Sequence, residues 1–482
     1  MKTILKNSVM TKSEVVSPNI KNFIKSLRDI GYSFEVAVAD LIDNSIAARA
    51  YNITIYVVAE PEMFFSMLDD GIGMSESELV EAMRLASRNP EEKREKDDLG
   101  RFGLGLKTAS FSQCRKLTVL SKKDDILSAR QWDLDHISQH NEWLLITPDD
   151  YDNLPLAEKL KKLKNGTLVT WEKLDRCQKE KFSDYIQNLR RHLALVFHRF
   201  LETGERFNTL KILVNNNPIL AFNPFNANHP ATQQISPEKI KLFGSIINVQ
   251  PFILPHHSKL SPQDYEQYAT QEGYVKSQGF YLYRANRLLI HGTWWGLHKA
   301  IDAHKLVRVK IDVTNDLDQH WGIDIKKSIA RPSPEIKKDL KRIIVQVTEK
   351  GSRPFTGRGR KIEDKTTKRF WQIVPIDNDF RFGLNLQHPI YEQLVSLLNE
   401  DAKEILDIYL KGLQAYLPLE AIQAKLQQTP YRIRQKTALS YDEVLALAEK
   451  IRSLNLSQEH IDSLLKTELF IRNKELLKDE NQ

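Results

Sequence analysis

The sequence predicts an α+β chain: helices over a mixed, mostly antiparallel sheet, then a second α/β unit and a helix-rich C-terminal region. Three observations predict it. Short apolar runs that read as strands alternate with helical stretches over residues 1–175, and the alternation restarts after residue 180. Beyond residue 388, Leu and Ile recur at helical spacing.

In chain order, residues 19–50 are expected to be helical, because Phe34, Val38, Leu41, Ile42 and Ile46 recur on one face. ITIYVV at 53–58 and MFFSML at 63–68 are expected strands. Ser75 followed by Glu78 is a capping box that opens a helix. Residues 87–99 (SRNPEEKREKDDL) are charged and interrupted by Pro90, which suits a surface loop. A glycine-rich turn at 100–105 leads into a helix, and strands follow at 115–121, 126–133 and 167–172. The second unit is expected to start with a helix around 180–203. Strand-like runs follow at 210–214, 280–284 and 306–313, with a helix at 334–349. GSRPFTGRGRKIEDKTTKRF at 351–370 reads as a linker. The expected units are therefore 1–175, 176–350, the basic linker 351–370, and a helical region 371–482.

A chain of 482 residues exceeds one ordinary core, in keeping with several units. No apolar run approaches the ~20 residues needed to span a bilayer. The first residues, MKTILKNSVMTKSEVV, lack the apolar core of a secretory signal, so a cytoplasmic protein with no membrane partner is expected. Cys114 and Cys177 are too few for a disulfide framework or a cysteine zinc site. His256-His257 is a lone pair in a Pro-flanked loop, and no metal-dependent nuclease cluster stands out. The net charge is +7, and seven Lys/Arg against two Asp/Glu concentrate it in 351–370.

Four pieces carry chemistry. Asp40 and Asn44 are four apart on the first helix and share a face, where a carboxylate and a carboxamide can hold a water and a hydrated Mg²⁺. Asp69-Asp70-Gly71-Ile72-Gly73-Met74 follows an apolar strand. A carboxylate there can accept from an exocyclic amine, and the glycines let backbone approach a ligand. Gly100-Arg101-Phe102-Gly103-Leu104-Gly105-Leu106-Lys107 runs into a helix, whose N-terminal N–H groups form an anion site. Asn165-Gly166-Thr167 opens a strand, and the Thr hydroxyl can bond a buried carboxylate or purine nitrogen. The chain holds no Gly-Lys dipeptide, which excludes a P-loop.

In this order and spacing, the four pieces resemble the signature boxes of the GHKL ATPases, the family of gyrase B, Hsp90, MutL, sensor histidine kinases and MORC proteins. The resemblance implies a Bergerat-fold α/β sandwich with ATP and Mg²⁺ as cofactors. It implies Asn44 as the Mg²⁺ ligand, and Asp69, Gly71, Gly73, Met74 and Thr167 around the base. It places Gly100, Arg101, Phe102, Gly103, Leu104, Gly105 and Lys107 at the phosphates under a lid from 87–99. The residue four before the Asn is usually a water-activating Glu. Here Asp40 reaches about one methylene (~1.3 Å) less far, which implies slow hydrolysis.

The runs Gly279–Ile290 and Trp321–Pro332 look like the S5-type transducer of MORC-like and MutL-like ATPases. In that likeness Lys326 or Lys327 reaches the γ-phosphate. The likeness covers about residues 15–350 and is closest to bacterial MORC-like proteins. It implies a clamp that forms a homodimer on ATP binding. Its expected client is DNA, in a restriction or antiphage setting, with any cutting left to a nuclease partner. Arg353, Arg358, Arg360 and Lys361, with Lys365, Lys368 and Arg369, are the nucleic-acid candidates, and Phe355, Phe370 and Trp371 could stack on bases. The rival readings are an Hsp90-like chaperone for a protein client and an ATP sensor that does not hydrolyse.

Overall fold

Gly31 breaks the first predicted helix in two. Its φ of +85° lies in the left-handed region, which closes one helix and lets Ser33 open the next. The computed structural model describes residues 19–85, 105–202, 209–324, 326–356, 367–376, 379–428, 439–454, 456–471 and 473–477. The first unit runs α1 (Ile20–Arg28), α2 (Phe34–Ala47), β1 (Asn52–Val58), β2 (Phe64–Asp69), α3 (Glu76–Met83), α4 (Gly105–Gln113), β3 (Lys116–Lys123) and β4 (Ile126–Asp133). It continues α5 (Leu134–His140), α6 (Ala157–Lys162), β5 (Gly166–Glu172), α7 (Phe182–Val196), α8 (His198–Leu201), β6 (Lys211–Val214) and β7 (Asn217–Pro218).

These strands form one sheet in the order β4-β3-β5-β2-β1-β6-β7. Every pairing is antiparallel except that of β6 on β1. The period-two alternation of the strands sets the two faces. Phe65, Met67 and Val169 point into a core shared with α1, α2, α4 and α7, while Leu68, Leu120 and Leu168 point to the other face under α6. The capping box at Ser75 and Glu78 is present.

The boundary at 175 needs correcting. Residues 182–219, expected in the second unit, pack into the first core through Leu189, Leu193, Phe197 and Ile212. Strand β6, read as second-unit, extends the first sheet beside β1. A parallel neighbour needs a crossover, and α7 supplies it.

The second unit holds β8 (Gln233–Gln234), β9 (Glu238–Leu242), β10 (Ser245–Ile253), α9 (Pro262–Ala269), β11 (Gly279–Arg284), β12 (Arg287–Thr293), β13 (Val307–Val313), α10 (Asp318–Trp321) and α11 (Pro334–Thr356). Its sheet has the order β12-β11-β13-β10-β8, with β9 on β10. One face packs on α11 through Ile336, Leu340, Ile343 and Val347. The other, aromatic face includes Tyr281 and Tyr283 and meets the end of α7 and α8. There Arg199 pairs with Asp312 at 2.5 Å and lies over the Tyr283 ring. Helix α11 continues to Thr356, into the stretch read as linker.

The C-terminal region is not wholly helical as expected. It opens with the hairpin β14 (Trp371–Ile376) and β15 (Asp379–Leu384). Then come α12 (Pro389–Leu397), α13 (Glu400–Ala415), α14 (Leu419–Gln428), α15 (Tyr441–Ser453) and α16 (Gln458–Leu464). No helix among the described residues is long and apolar enough to cross a membrane.

Candidate functional site

Helix α2 is buried on nearly every side, and it carries two carboxylates into that burial. Phe34, Ala37, Val38, Leu41 and Ile42 anchor it in the core. Asp40 and Asp43, three apart, share a face, and each residue is only 2% exposed. A buried carboxylate must be paired or hydrogen-bonded to stay charged.

Asp40 receives a 2.9 Å hydrogen bond from the Tyr32 hydroxyl on one oxygen, and Lys327 Nζ stands 3.1 Å from the other. Lys327 also donates to Asp43 at 2.5 Å, and Arg287 Nε donates to Asp43 at 2.7 Å. Two acids and two bases from opposite units thus meet out of water. Burial pushes the Asp40 carboxyl above its usual range, Lys327 opposes that rise, and Asp43 adds to it. A carboxylate so raised is better suited to take a proton from water than an exposed one. The start of α4 closes in on the same group, since a Cβ on Gly105 would lie 3.9 Å from Asp40 Oδ2.

The lysine is delivered by a tight loop built on Asp324. Its carboxylate accepts from the backbone N–H of Ser328 and Ile329, at 2.7 and 2.9 Å, and from the Ser328 hydroxyl at 3.0 Å. Lys327 itself sits at φ +55°, a left-handed conformation that costs a non-glycine residue free energy and needs such support. Lys326, the alternative candidate, donates instead to the Gly31 carbonyl at 3.3 Å.

Asp69 ends β2 beside α2. It is buried and accepts from the Ser45 hydroxyl at 2.7 Å, from Gly71 N–H at 2.9 Å, and from the Thr167 backbone. Burial nevertheless raises its carboxyl above the usual range, with the Ser45, Gly71 and Thr167 hydrogen bonds opposing the rise. Asp70 turns outward and accepts from the N–H groups of Tyr51 and Asn52, so it is a structural turn residue. Gly73 must be glycine: its φ is +66°, and a Cβ would fall 2.0 Å from the Lys122 carbonyl oxygen. Met74 N–H donates to the Ser121 hydroxyl at 2.8 Å, and Ser121 also meets the Thr167 hydroxyl at 3.0 Å. A cleft of about 310 Å³ opens at this edge, lined by Arg49, Asp70, Gly71, Ile72, Leu163, Lys164 and Asn165. A larger cleft of about 580 Å³ lies elsewhere, between α8 and the second sheet.

The structure therefore brings Asp40, Gly105, Asp69, Gly71, Gly73, Met74 and Thr167 onto neighbouring elements under and beside α2. Asn44 is exposed, one turn beyond Asp40. Lys107 departs from the expected place: it is buried, and its ammonium donates to the Ala82 carbonyl at 2.8 Å, tying α4 to the end of α3. Gly100, Arg101, Phe102, Gly103, Leu104 and the loop 87–99 lie outside the described residues, as do Arg358, Arg360, Lys361 and Lys365. Arg353 and Phe355 belong to α11, but their side chains lie outside the described set. Phe370, a candidate for base stacking, is instead stacked on His388 with ring centroids 4.1 Å apart. Among the described residues no cluster of three or more His, Cys, Asp or Glu could hold a metal ion.

Sequence reasoning missed Tyr32, Ser45, Asp43, Ser121 and Arg287. Asp43 had a signal, since it lies one helical turn from Asp40 within the same box. Tyr32 lies only eight residues before its partner Asp40, outside α2, while Ser45, Ser121 and Arg287 are ordinary polar residues whose partners are remote in sequence.

Residues 32–167 match the family described as histidine kinase-, DNA gyrase B-, and HSP90-like ATPase. The chain is similar to ATPase morc-1 of Caenorhabditis elegans, 33% identical over 119 residues, which are 24% of this chain and 14% of that protein. It is also similar to ATPase MORC2B of Mus musculus, 30% identical over 99 residues, which are 19% of this chain and 9% of that protein. The chain thus matches only a small part of these relatives.

Proposed function

With residues 32–167 a domain of the histidine kinase-, DNA gyrase B- and HSP90-like ATPase family, we propose that this chain binds Mg-ATP, hydrolyses it slowly and works as a nucleotide-gated switch. The observation that carries the reading is Lys327. It crosses from the second unit to the carboxylates of α2, beside Gly105 at the start of α4. A helix N-terminus favours phosphate, and a lysine placed there is within reach of the same charge.

In this reading Asp69 accepts the hydrogen bond of the adenine amine, with Thr167, Gly71, Gly73 and Met74 around the base. Asn44 is exposed and makes no side-chain hydrogen bond to a described residue, so its carboxamide oxygen suits a hard cation. Bound there, Mg²⁺ would offset phosphate charge. Asp40 is the base. It takes the proton of the attacking water, while Lys327 neutralises charge on the terminal phosphate. In this reading a phosphate draws Lys327 away from the carboxylates of α2. ATP therefore competes for it, frees Asp40 to act, and loosens the tie between the units.

We extend the proposal to a homodimerising clamp on DNA, within a restriction or antiphage system whose cutting belongs to a partner. The basic run 351–370 supports it, with its excess of five positive charges. The test is single-turnover ATP hydrolysis by the wild type and Asp40→Asn, with nucleotide binding measured in parallel. Both should bind ATP, and only the wild type should hydrolyse it. Equal background rates would replace the enzyme with a non-hydrolysing sensor, a reading that the shorter reach of Asp40 favours. DNA affinity should fall steeply with salt. Charge reversal of Arg358, Arg360 and Lys361 without effect on it would remove that segment, and salt-insensitive capture of protein would favour a chaperone.

A further inference from the structure

The cleft between α8 and the second sheet lies away from the carboxylates of α2, and its walls come from both units. Its volume of about 580 Å³ suits a small organic molecule better than a lone ion. Strand register builds it. Asn248 pairs with Asp312, Gln250 with Lys310 and Phe252 with Arg308. The period-two alternation therefore turns Asn248, Phe252, Lys310 and Asp312 to the sheet face opposite α11. Arg199 reaches this face from α8 and holds both oxygens of Asp312, at 2.5 and 3.3 Å.

Lys310 stands beside that pair and is left over. It makes no hydrogen bond or ion pair with a described residue, and its ammonium lies 5.6 Å from the centre of the Phe252 ring. Burial and the Arg199 guanidinium push its pKa below the usual range, with Asp312 opposing. The chain by itself thus disfavours the charge that it places here. Three more polar groups line the same cleft without a hydrogen-bond partner among the described residues: the Asn223 amide nitrogen, the Asn248 carboxamide and the Thr314 hydroxyl. Apolar surface completes the lining, with Phe225 and Phe252 buried and Ile246 44% exposed.

We propose that this cleft binds a small organic carboxylate, its charge on Lys310 and its apolar body against Phe252 and Ile246. An anion supplies what the cation lacks, and a charge-assisted hydrogen bond is among the stronger contacts open to it. One negative charge fits better than two, because Asp312 and Glu202 also line the cleft and repel a dianion. The site is independent of the nucleotide reading.

The experiment is isothermal titration calorimetry on the full chain with three probes: 2-naphthoate, its neutral isostere 2-naphthamide, and 2-naphthyl phosphate. The wild type should bind one 2-naphthoate per chain with a Kd below ~1 mM. Lys310→Met should weaken it about tenfold or more, and 2-naphthamide should bind the wild type as weakly as 2-naphthoate binds that variant. The phosphate should bind no tighter than the carboxylate. Without probe, Lys310→Met should melt no lower than the wild type, since the change removes an unpaired cation. Ile246→Trp, at an exposed position, should fill the cleft and abolish binding with unchanged circular dichroism. It decides the matter should Lys310→Met fail to fold. No binding of 2-naphthoate, equal binding of 2-naphthamide, tighter binding of the phosphate, or indifference to either substitution would each overturn the proposal. A lower melting temperature for folded Lys310→Met would do so too, by showing that the ammonium already has a partner in the chain.

Discussion

Lys327 lies 3.1 Å from Asp40 and 2.5 Å from Asp43, although 287 and 284 residues of chain separate it from them. With Arg287 on Asp43, it makes the junction between the two α/β units a buried, charge-balanced cluster.

Removing one partner from such a cluster leaves buried charge unpaired. Lys327→Met is expected to destabilise the nucleotide-free chain by about 3–5 kcal/mol, toward the lower end because Asp40 can protonate. Urea unfolding monitored at both units checks this. A loss under 1 kcal/mol would mean that the cluster holds nothing together.

Tyr32→Phe tests Asp40 as the base. Tyr32's hydrogen bond is among the influences that lower the Asp40 pKa, so its loss raises that pKa further. A base works deprotonated, so the acidic limb of the pH–rate profile should move to higher pH. The rate constant should fall while the KM for ATP stays near that of the wild type. An unmoved limb would make Tyr32 merely structural.

His198 predicts acid lability. It is buried against Tyr283, and burial pushes its pKa down to about 4 from an ordinary 6.5. The folded state therefore resists a proton that the unfolded state accepts. Its contribution is intact above pH 6.5 and is lost as pH falls toward 4, by up to ~3 kcal/mol. His198→Gln should flatten that part of the stability profile. Parallel profiles for the two proteins would contradict the assignment.

Gly73→Ala should be severe for its size. A methyl group there strains a positive φ and meets the Lys122 carbonyl. We expect a loss of more than ~1 kcal/mol of stability and at least tenfold weaker ATP binding, read by calorimetry. Asp70→Ala should lower stability through the lost Tyr51 and Asn52 bonds while sparing nucleotide affinity.

Much of the first unit was legible because its signals are local. The strand 126–133, the capping box at Ser75 and the Gly73 turn are set by period, cap chemistry and backbone sterics, which neighbouring residues carry. The break at Gly31 was legible in principle and was overlooked, since the apolar spacing that argued for the helix starts only at Phe34 and was extended back across the glycine. The hairpin 371–384 was missed under a helical reading of its surroundings.

By itself the sequence determined the boxes, their order and the short spacings of Asp40, Asn44, Asp69 and the glycines, because each rests on residue type and position in the chain. Only the tertiary structure decided which strand joins which sheet, so that 211–214 returned to β1, and which lysine met the carboxylates of α2. Both outcomes turn on pairings between segments remote in sequence. The low-dielectric junction that makes Asp43, Arg287 and Lys327 matter exists only once the two units have packed.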